Sequence, residues 1–209
     1  MENKWKKNSW RSYPISQQPI YDDEEHVNKV ENEIERLPPL VFADEVRNLV
    51  ASRIVNNPFV DSVICPNRVS VNFYNNYIEG DYYNKHIDSF KAEPKMNHVY
   101  FDYGFTVCLS DDYEGGEFVL DNEIGEIPFK LKSGQVLFFP IIYPHSVNKV
   151  TKGSRKALIG WLSTNVSYEQ SFVLRNLYEV NAHAINNKQH NLAVKSTLVQ
   201  NYLKKQWGR

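Results

Sequence analysis

From Val69 to Ser163 the chain runs in short stretches of alternating apolar and polar residues, each cut off by Gly, Asp, Asn or Pro. A period of two sends successive side chains to opposite faces, so these stretches predict β-strands, the one over Val69 to Phe73 half-buried. Val69, Val71 and Phe73 alternate with Ser70 and Asn72, and Phe105, Val107 and Leu109 alternate with Gly104, Thr106 and Cys108. Tyr77-Ile78-Glu79-Gly80 turns the first strand toward the next, and the polar run Lys91 to Asn97, with Pro94, reads as a loop. Asp111 to Gly116 is a turn closed by a strand over Glu117 to Leu120. Asp121 to Gly125 is a hairpin turn leading to Ile127, Phe129 and Leu131. Gly115-Gly116 predicts a tight turn or bulge and not a phosphate loop, since neither Lys-Ser/Thr nor a helix follows. Ser133-Gly134 turns into Val136 to Phe139, and strands at His145 and over Lys156 to Ser163 bring the total to about eight. Short, evenly spaced strands of this number predict a double-stranded β-helix, the jelly roll, over about residues 68–164.

The flanks have helical spacing. Residues 1 to about 22 are irregular, and Asp22 with Glu25 then makes a capping-box-like start. Val27, Val30, Ile34 and Leu37 form its stripe, and Pro38-Pro39 stops the helix. A second short helix is expected from about Ala43 to Arg53, with Val46, Leu49, Val50 and Ile54 apolar, and strands are expected from Asn56 onward. The tail, about residues 168–207, is again helical: Phe172, Leu174, Leu177 and Tyr178 make one apolar group, and Leu192, Val199, Tyr202 and Leu203 another. The fold class is mainly β with flanking helices. A helical segment occupies residues 1–55, and the jelly roll with its helical tail occupies 56–209.

Composition removes several classes of function. The formal net charge of the 209 residues is −1, so bulk charge gives no reason to expect nucleic acid or an acidic membrane as partner. No apolar run approaches the roughly 20 residues that span a bilayer. Met1 to Lys7 is polar and basic and leads into no apolar stretch, unlike a secretory signal. Cys65 and Cys108 are the two cysteines and suggest no disulfide framework. A cytoplasmic, reducing location is therefore expected, where Fe(II) is also easier to keep.

Within the strand-rich body, His86-Ile87-Asp88 places a histidine and a carboxylate on one face of a strand. With the distant His145 they make a two-histidine, one-carboxylate set, the facial triad that holds non-haem Fe(II) and leaves three positions open. Arg155, ten residues beyond His145, offers a planar fork for a dicarboxylate. His26, His98, His183 and His190 have no partner at ligand spacing.

From about Asn57 to Arg209 the chain resembles the PKHD-type hydroxylases, in the prolyl-hydroxylase-like branch of the Fe(II)/2-oxoglutarate dioxygenases. The residues that carry the resemblance include Asn57-Pro58, Asn75-x-Tyr77-x-x-Gly80, His86-x-Asp88, Leu109-Ser110-Asp111, Tyr113-x-Gly115-Gly116-Glu117, His145, Val150 to Arg155 and Trp161. The resemblance implies Fe(II), 2-oxoglutarate and O2, release of succinate and CO2, and ascorbate (vitamin C) as a common requirement. It implies His86, Asp88 and His145 as metal ligands. Arg155 and Tyr77 would hold the co-substrate, and either Thr106 or Cys108, which share a strand face, would touch it. Tyr83, Asn84 and Phe90 are the candidates for the substrate entrance. Two positions depart from the family pattern. Asn84 stands where the family has Gly, and Asn would best keep a left-handed backbone there. Ala157 stands where the family often has Ser, which removes one hydrogen bond to the co-substrate.

Residues 5–52 resemble something else, the N-terminal segment of class II 3-deoxy-7-phosphoheptulonate (DAHP) synthases. The matching residues are Ser9-Trp10-Arg11, Pro14, Gln18, Pro19, Tyr21, Pro38 to Ala43 and Glu45. The match stops before that family's catalytic residues, and its Gly-Gly-Asp-Cys stretch is absent, so no synthase activity follows. The expected activity is a dioxygenase acting on a prolyl or other protein residue, or on a small molecule. Its rivals are a non-catalytic jelly-roll sensor of 2-oxoglutarate and an adaptor docking on a DAHP synthase.

Overall fold

The structure, a computed structural model, describes residues 40–88 and 100–207. The expected helix over Val27 to Leu37 and the loop Lys91 to Asn97 lie outside the described residues. The chain divides into two compact units. The described part of the first comprises residues 40–47 and 70–161, and that of the second 48–69 and 162–207.

Most of the two sheets belongs to the first unit. One has the order β1 (Pro66–Ile78), β9 (Val150–Thr164), β3 (Tyr103–Cys108), β7 (Val136–Pro140), with β4 (Tyr113–Gly115) added on β9. The other has the order β2 (Tyr83–His86), β8 (His145–Val147), β5 (Phe118–Asn122), β6 (Gly125–Phe129). The chain switches between sheets as it winds, and four strands on each side make the double-stranded β-helix. Strand β4 is the addition to the eight that the sequence pattern suggests. Val71, Phe73, Asn75 and Tyr77 are buried on one face of β1, and Tyr74 is buried on the other. Phe105 of β3 is fully enclosed. Tyr77, Phe118, Phe139, Val147 and Val150 form one apolar cluster, and Phe73, Phe101, Ile141 and Trp161 form a second.

The turns follow their residues. Gly125 closes the β5–β6 hairpin with φ 126°, a conformation open to glycine and strained for other residues. Gly115 and Gly116 both have positive φ, and the β4–β9 register slips at Gly115, which is the expected bulge. Asn84 is a correction: the left-handed non-glycine residues among those described are Cys65 and Lys188, while Asn84 lies in extended β2.

In the second unit the stretch after Asn56 is not yet a strand. The Asn57 side chain accepts from the Phe59 and Val60 N–H groups and starts a π-helical turn, Val60–Ile64, which ends at Cys65 with φ 52°. Helix α1 (Leu40–Val55) is longer than the expected Ala43 to Arg53. Of its stripe, Ile54 is buried and Leu49 is 57% exposed. Ser167 caps α2 (Tyr168–Asn186) through a reciprocal box with Gln170. Helix α3 (His190–Trp207) follows after the left-handed Lys188. The predicted apolar groups of this tail are only partly covered, with Phe172 68% and Tyr202 61% exposed. Of the predicted residues Leu174 is fully buried, and the other residues buried on the two helices are Ser171, Ala184, Ser196 and Gln200. Polar bonds supply the contact that the apolar pattern alone does not show. Asn181 Nδ2 donates to the Ala193 carbonyl at 3.0 Å, and Gln200 Nε2 to the Leu174 carbonyl at 3.3 Å.

Candidate metal centre

Strand pairing brings the two histidines together. His86 and His145 are direct partners across the β2–β8 ladder, and Leu120 of β5 pairs with His145 on the other side. Directly opposed residues hold their Cβ atoms about 5 Å apart, so both imidazoles project into the same space. Their ring centroids lie 4.3 Å apart. Asp88, two residues beyond His86, completes the set. One carboxylate oxygen lies 3.5 Å from His86 Nε2 and the other 3.6 Å from His145 Nε2. One ligand atom from each of the three residues lies within 4.8 Å of the others, and all three residues are buried.

The hydrogen bonds around the set prepare it for a cation. His86 Nδ1 bonds the Asn84 carbonyl at 2.9 Å, and His145 Nδ1 bonds the Tyr143 carbonyl at 3.2 Å. A carbonyl can only accept, so each ring carries a proton on Nδ1 and turns its Nε2 to the centre. The Trp161 indole N–H donates to Asp88 Oδ2 at 2.8 Å. Burial alone would raise the Asp88 pKa, but the two histidines and the indole outweigh it and hold the carboxyl below its ordinary value. Burial pushes the His145 pKa down to about 4, against the pull of Asp88. Near neutral pH the cluster is thus one carboxylate with a neutral His145 imidazole. The Phe118 ring stacks on His145 at 5.3 Å, Phe139 leans on it at 4.6 Å, and Tyr83 meets the His86 ring at 4.6 Å. These donor atoms, their protonation and their spacing fit a divalent transition metal.

The same cavity runs from the three ligands to Arg155 on β9, with Asn75, Tyr77 and Thr106 on its wall. Arg155 is 2% exposed, and its Nη1 has no hydrogen-bond partner. Among the described residues no carboxylate forms an ion pair with it. The guanidinium carbon lies 5.3 Å from the Tyr77 ring centroid. The Thr106 hydroxyl is also buried without a partner. Gly116 makes room for the arginine stem, since a Cβ there would stand 3.2 Å from Arg155 Cδ and 3.0 Å from Val150. A buried cation with an unused donor is expensive unless an anion joins it, so this end of the cavity suits a carboxylate.

The other sequence candidates fall in different places. Tyr83 lines the cavity, and Asn84 lines a shallow outer groove with Tyr82, Lys85 and Asn148. Phe90 lies outside the described residues. Thr106 lines the cavity but Cys108 does not: its thiol faces the Ser110 carbonyl at 3.2 Å and the Leu131 carbonyl at 3.5 Å. Trp161 and Asn75, both part of the family-like pattern, had no assigned role on sequence grounds. Asn75 has a readable signal, as the amide in an otherwise apolar and aromatic inward row of β1. The Trp161 contact joins residues 73 positions apart and has no local signal.

Fold and site together define a jelly-roll protein with a buried two-histidine, one-carboxylate set beside an anion-seeking arginine. Residues 70–163 match the 2OG-Fe(II) oxygenase superfamily, and residues 5–56 match the class-II DAHP synthetase family. The chain resembles PKHD-type hydroxylases. It is 39% identical over 126 residues to one from Idiomarina loihiensis, and 32% identical over 120 residues to one from Prochlorococcus marinus strain MIT 9515. These alignments cover 59% and 56% of this chain, and the chain spans only 56% and 52% of those two relatives. A 2OG-Fe(II) oxygenase family oxidoreductase from Burkholderia pseudomallei superposes with a TM-score of 0.46 at 18% identity, covering 63% of this chain and 60% of that one. A viral collagen prolyl hydroxylase of Paramecium bursaria Chlorella virus-1 gives 0.44 at 17%, covering 68% and 86%. No helix among the described residues is long and apolar enough to cross a membrane.

Proposed function

We propose that this chain is an Fe(II)- and 2-oxoglutarate-dependent dioxygenase that hydroxylates a C–H bond of a peptidyl, prolyl-type substrate or of a small molecule. The observation that carries the reading is the buried, unpaired Nη1 of Arg155 in the cavity that also holds His86, Asp88 and His145. The superfamily match implies Fe(II), 2-oxoglutarate and O2. In this reading the two Nε2 atoms and the Asp88 carboxylate hold the metal, and their joint charge leaves the ion at a net +1. Fe(II) held there would use O2 as the oxidant: one oxygen atom would go into succinate as 2-oxoglutarate loses CO2, and the other into the substrate C–H bond, with ascorbate keeping the iron reduced. The rest falls to the protein. Arg155 binds the distal carboxylate through charge-assisted hydrogen bonds worth roughly 1.5–3 kcal/mol. Tyr77 and Thr106 complete its shell, and the walls of Phe73, Phe105, Phe118, Phe139 and Trp161 exclude water.

The test is succinate release from 2-oxoglutarate with Fe(II) and ascorbate, run against peptide and metabolite libraries. Release that disappears in Asp88→Ala supports the reading. Tight 2-oxoglutarate binding without release on any substrate favours the sensor. The match over residues 5–56 raises one further reading, docking on a class II DAHP synthase. Pull-down by the full chain, but not by one lacking residues 5–39, would support it.

A further inference from the structure

One buried polar side chain in the cavity is left without a task in the reading above. Asn75 is 6% exposed and stands in the inward row of β1 between Phe73 and Tyr77. An amide in such a row costs stability unless its groups are paired. Only half of it is: Nδ2 donates to the Tyr77 hydroxyl at 3.1 Å, while Oδ1 has no partner. An apolar side chain would fill this position with less penalty, so packing does not explain the amide.

The bond has a direction with a consequence. A phenol oxygen can accept and can donate its single proton. Tyr77 accepts from Asn75, so its own proton must point elsewhere, and no acceptor for it is found among the described residues. Tyr77 is 4% exposed, and burial raises its pKa above the ordinary phenol value, so the proton stays on. That hydroxyl lines the same cavity as Arg155, whose Nη1 is likewise unused. Two unspent donors, one cationic and one neutral, face a space that needs an acceptor.

We infer that Asn75 is a positioning residue: its amide N–H occupies the Tyr77 oxygen and so turns the Tyr77 proton toward the distal carboxylate held by Arg155. The inference rests on the proposed co-substrate. Without the amide the phenol can rotate, and its proton is no longer aimed. Asn75 itself does not touch the carboxylate, since its free Oδ1 would repel it.

The experiment is a double-mutant cycle on the full chain loaded with Mn(II), which allows binding without turnover. Calorimetry gives the Kd for 2-oxoglutarate and, in parallel, for oxalate, which reaches the metal but has no distal carboxylate. Asn75→Leu and Tyr77→Phe should each weaken 2-oxoglutarate about fivefold, as expected for one hydrogen bond. The double variant should be no weaker than either, because Asn75 acts through Tyr77. Oxalate should bind all four proteins equally. If Asn75→Leu does not fold, Asn75→Ala takes its place in the cycle. Additive losses, an unchanged Kd in the Asn75 variant, or an equal loss for oxalate would overturn the inference while leaving the dioxygenase reading in place. Failure of the unmodified protein to bind 2-oxoglutarate would overturn both.

Discussion

The Trp161 indole donates its N–H to Asp88 Oδ2 at 2.8 Å, a buried bond between β9 and the residue just beyond β2. The indole fixes which carboxylate lone pairs remain for a metal, and it shares the negative charge when none is bound. Partners of this kind, one shell behind a ligand, typically change metal affinity by about 10–100-fold when lost. Trp161→Phe keeps an aromatic ring against Phe73 and Phe101 but removes the donor. Metal titration should show Mn(II) or Fe(II) binding weakened about tenfold or more. Unchanged affinity would mean that the indole serves packing alone.

Arg155 is predicted to trade stability for binding. Its buried charge lacks an ion pair among the described residues, so Arg155→Met should stabilise the ligand-free protein. A gain of about 1 kcal/mol corresponds to roughly 2–4 °C in Tm for a chain of this size. The same variant should lose at least about tenfold in apparent 2-oxoglutarate affinity, since about 1.4 kcal/mol is one decade. Arg155→Lys should recover part of it, because a point charge cannot reproduce the planar fork. Thermal melts with and without 2-oxoglutarate check both halves. A ligand-induced shift that survives in Arg155→Met would place the carboxylate on another cation.

Periodicity made the jelly roll legible, because each half-buried strand writes its inward face as every second residue. Turn chemistry did the same for the Gly115-Gly116 bulge and the hairpin at Gly125. His86 and Asp88 could be paired from their spacing of two, although β2 ends at His86 and Asp88 lies just beyond it rather than on the strand face that was expected. His145 could be chosen among the six histidines from Arg155 ten residues on and from the family-like pattern, not from residue type. The direct His86–His145 register depends on which strands are neighbours, which local pattern does not state. Cys108 shows the limit of alternation: it shares a strand face with Thr106, yet one step along β3 the face has left the cavity. The helical tail was legible, with Leu174 buried as its spacing implied, but helical spacing could not show that Asn181 and Gln200 would join α2 and α3 by hydrogen bonds while Phe172 stayed exposed.

Acidity should weaken the metal-free fold in a defined window. Unfolded, His145 takes up a proton near its ordinary value of 6.5, whereas in the fold burial delays this until about 4. Below 6.5 the unfolded chain therefore binds more protons, and stability falls with pH until the folded site also protonates. The drop is of order 3 kcal/mol at full extent. Asp88, held below its ordinary 3.8, adds a further loss only at lower pH. Urea unfolding of the metal-free protein between pH 7 and 4.5 should show a falling midpoint, and His145→Gln should flatten it. An equally steep fall in His145→Gln would assign the effect to other groups.

Gly104 on β3 lies opposite Phe139 on β7, and the ring covers the glycine. A Cβ at Gly104 would stand 2.4 Å from the ring's Cζ. The ring has little freedom to yield, because Phe139 is 3% exposed and sits between Phe118 at 4.8 Å and His145 at 4.6 Å. Gly104→Ala must therefore push Phe139 toward the candidate ligand or strain β3. Overpacking of this kind costs about 1–3 kcal/mol. The prediction is a lower urea midpoint together with weaker metal binding, although residue 104 touches no ligand. Combining it with Phe139→Leu, which gives back the volume, should restore much of the metal affinity. If Gly104→Ala loses stability but binds metal normally, the Phe139 ring has moved without His145, and the two are not mechanically linked.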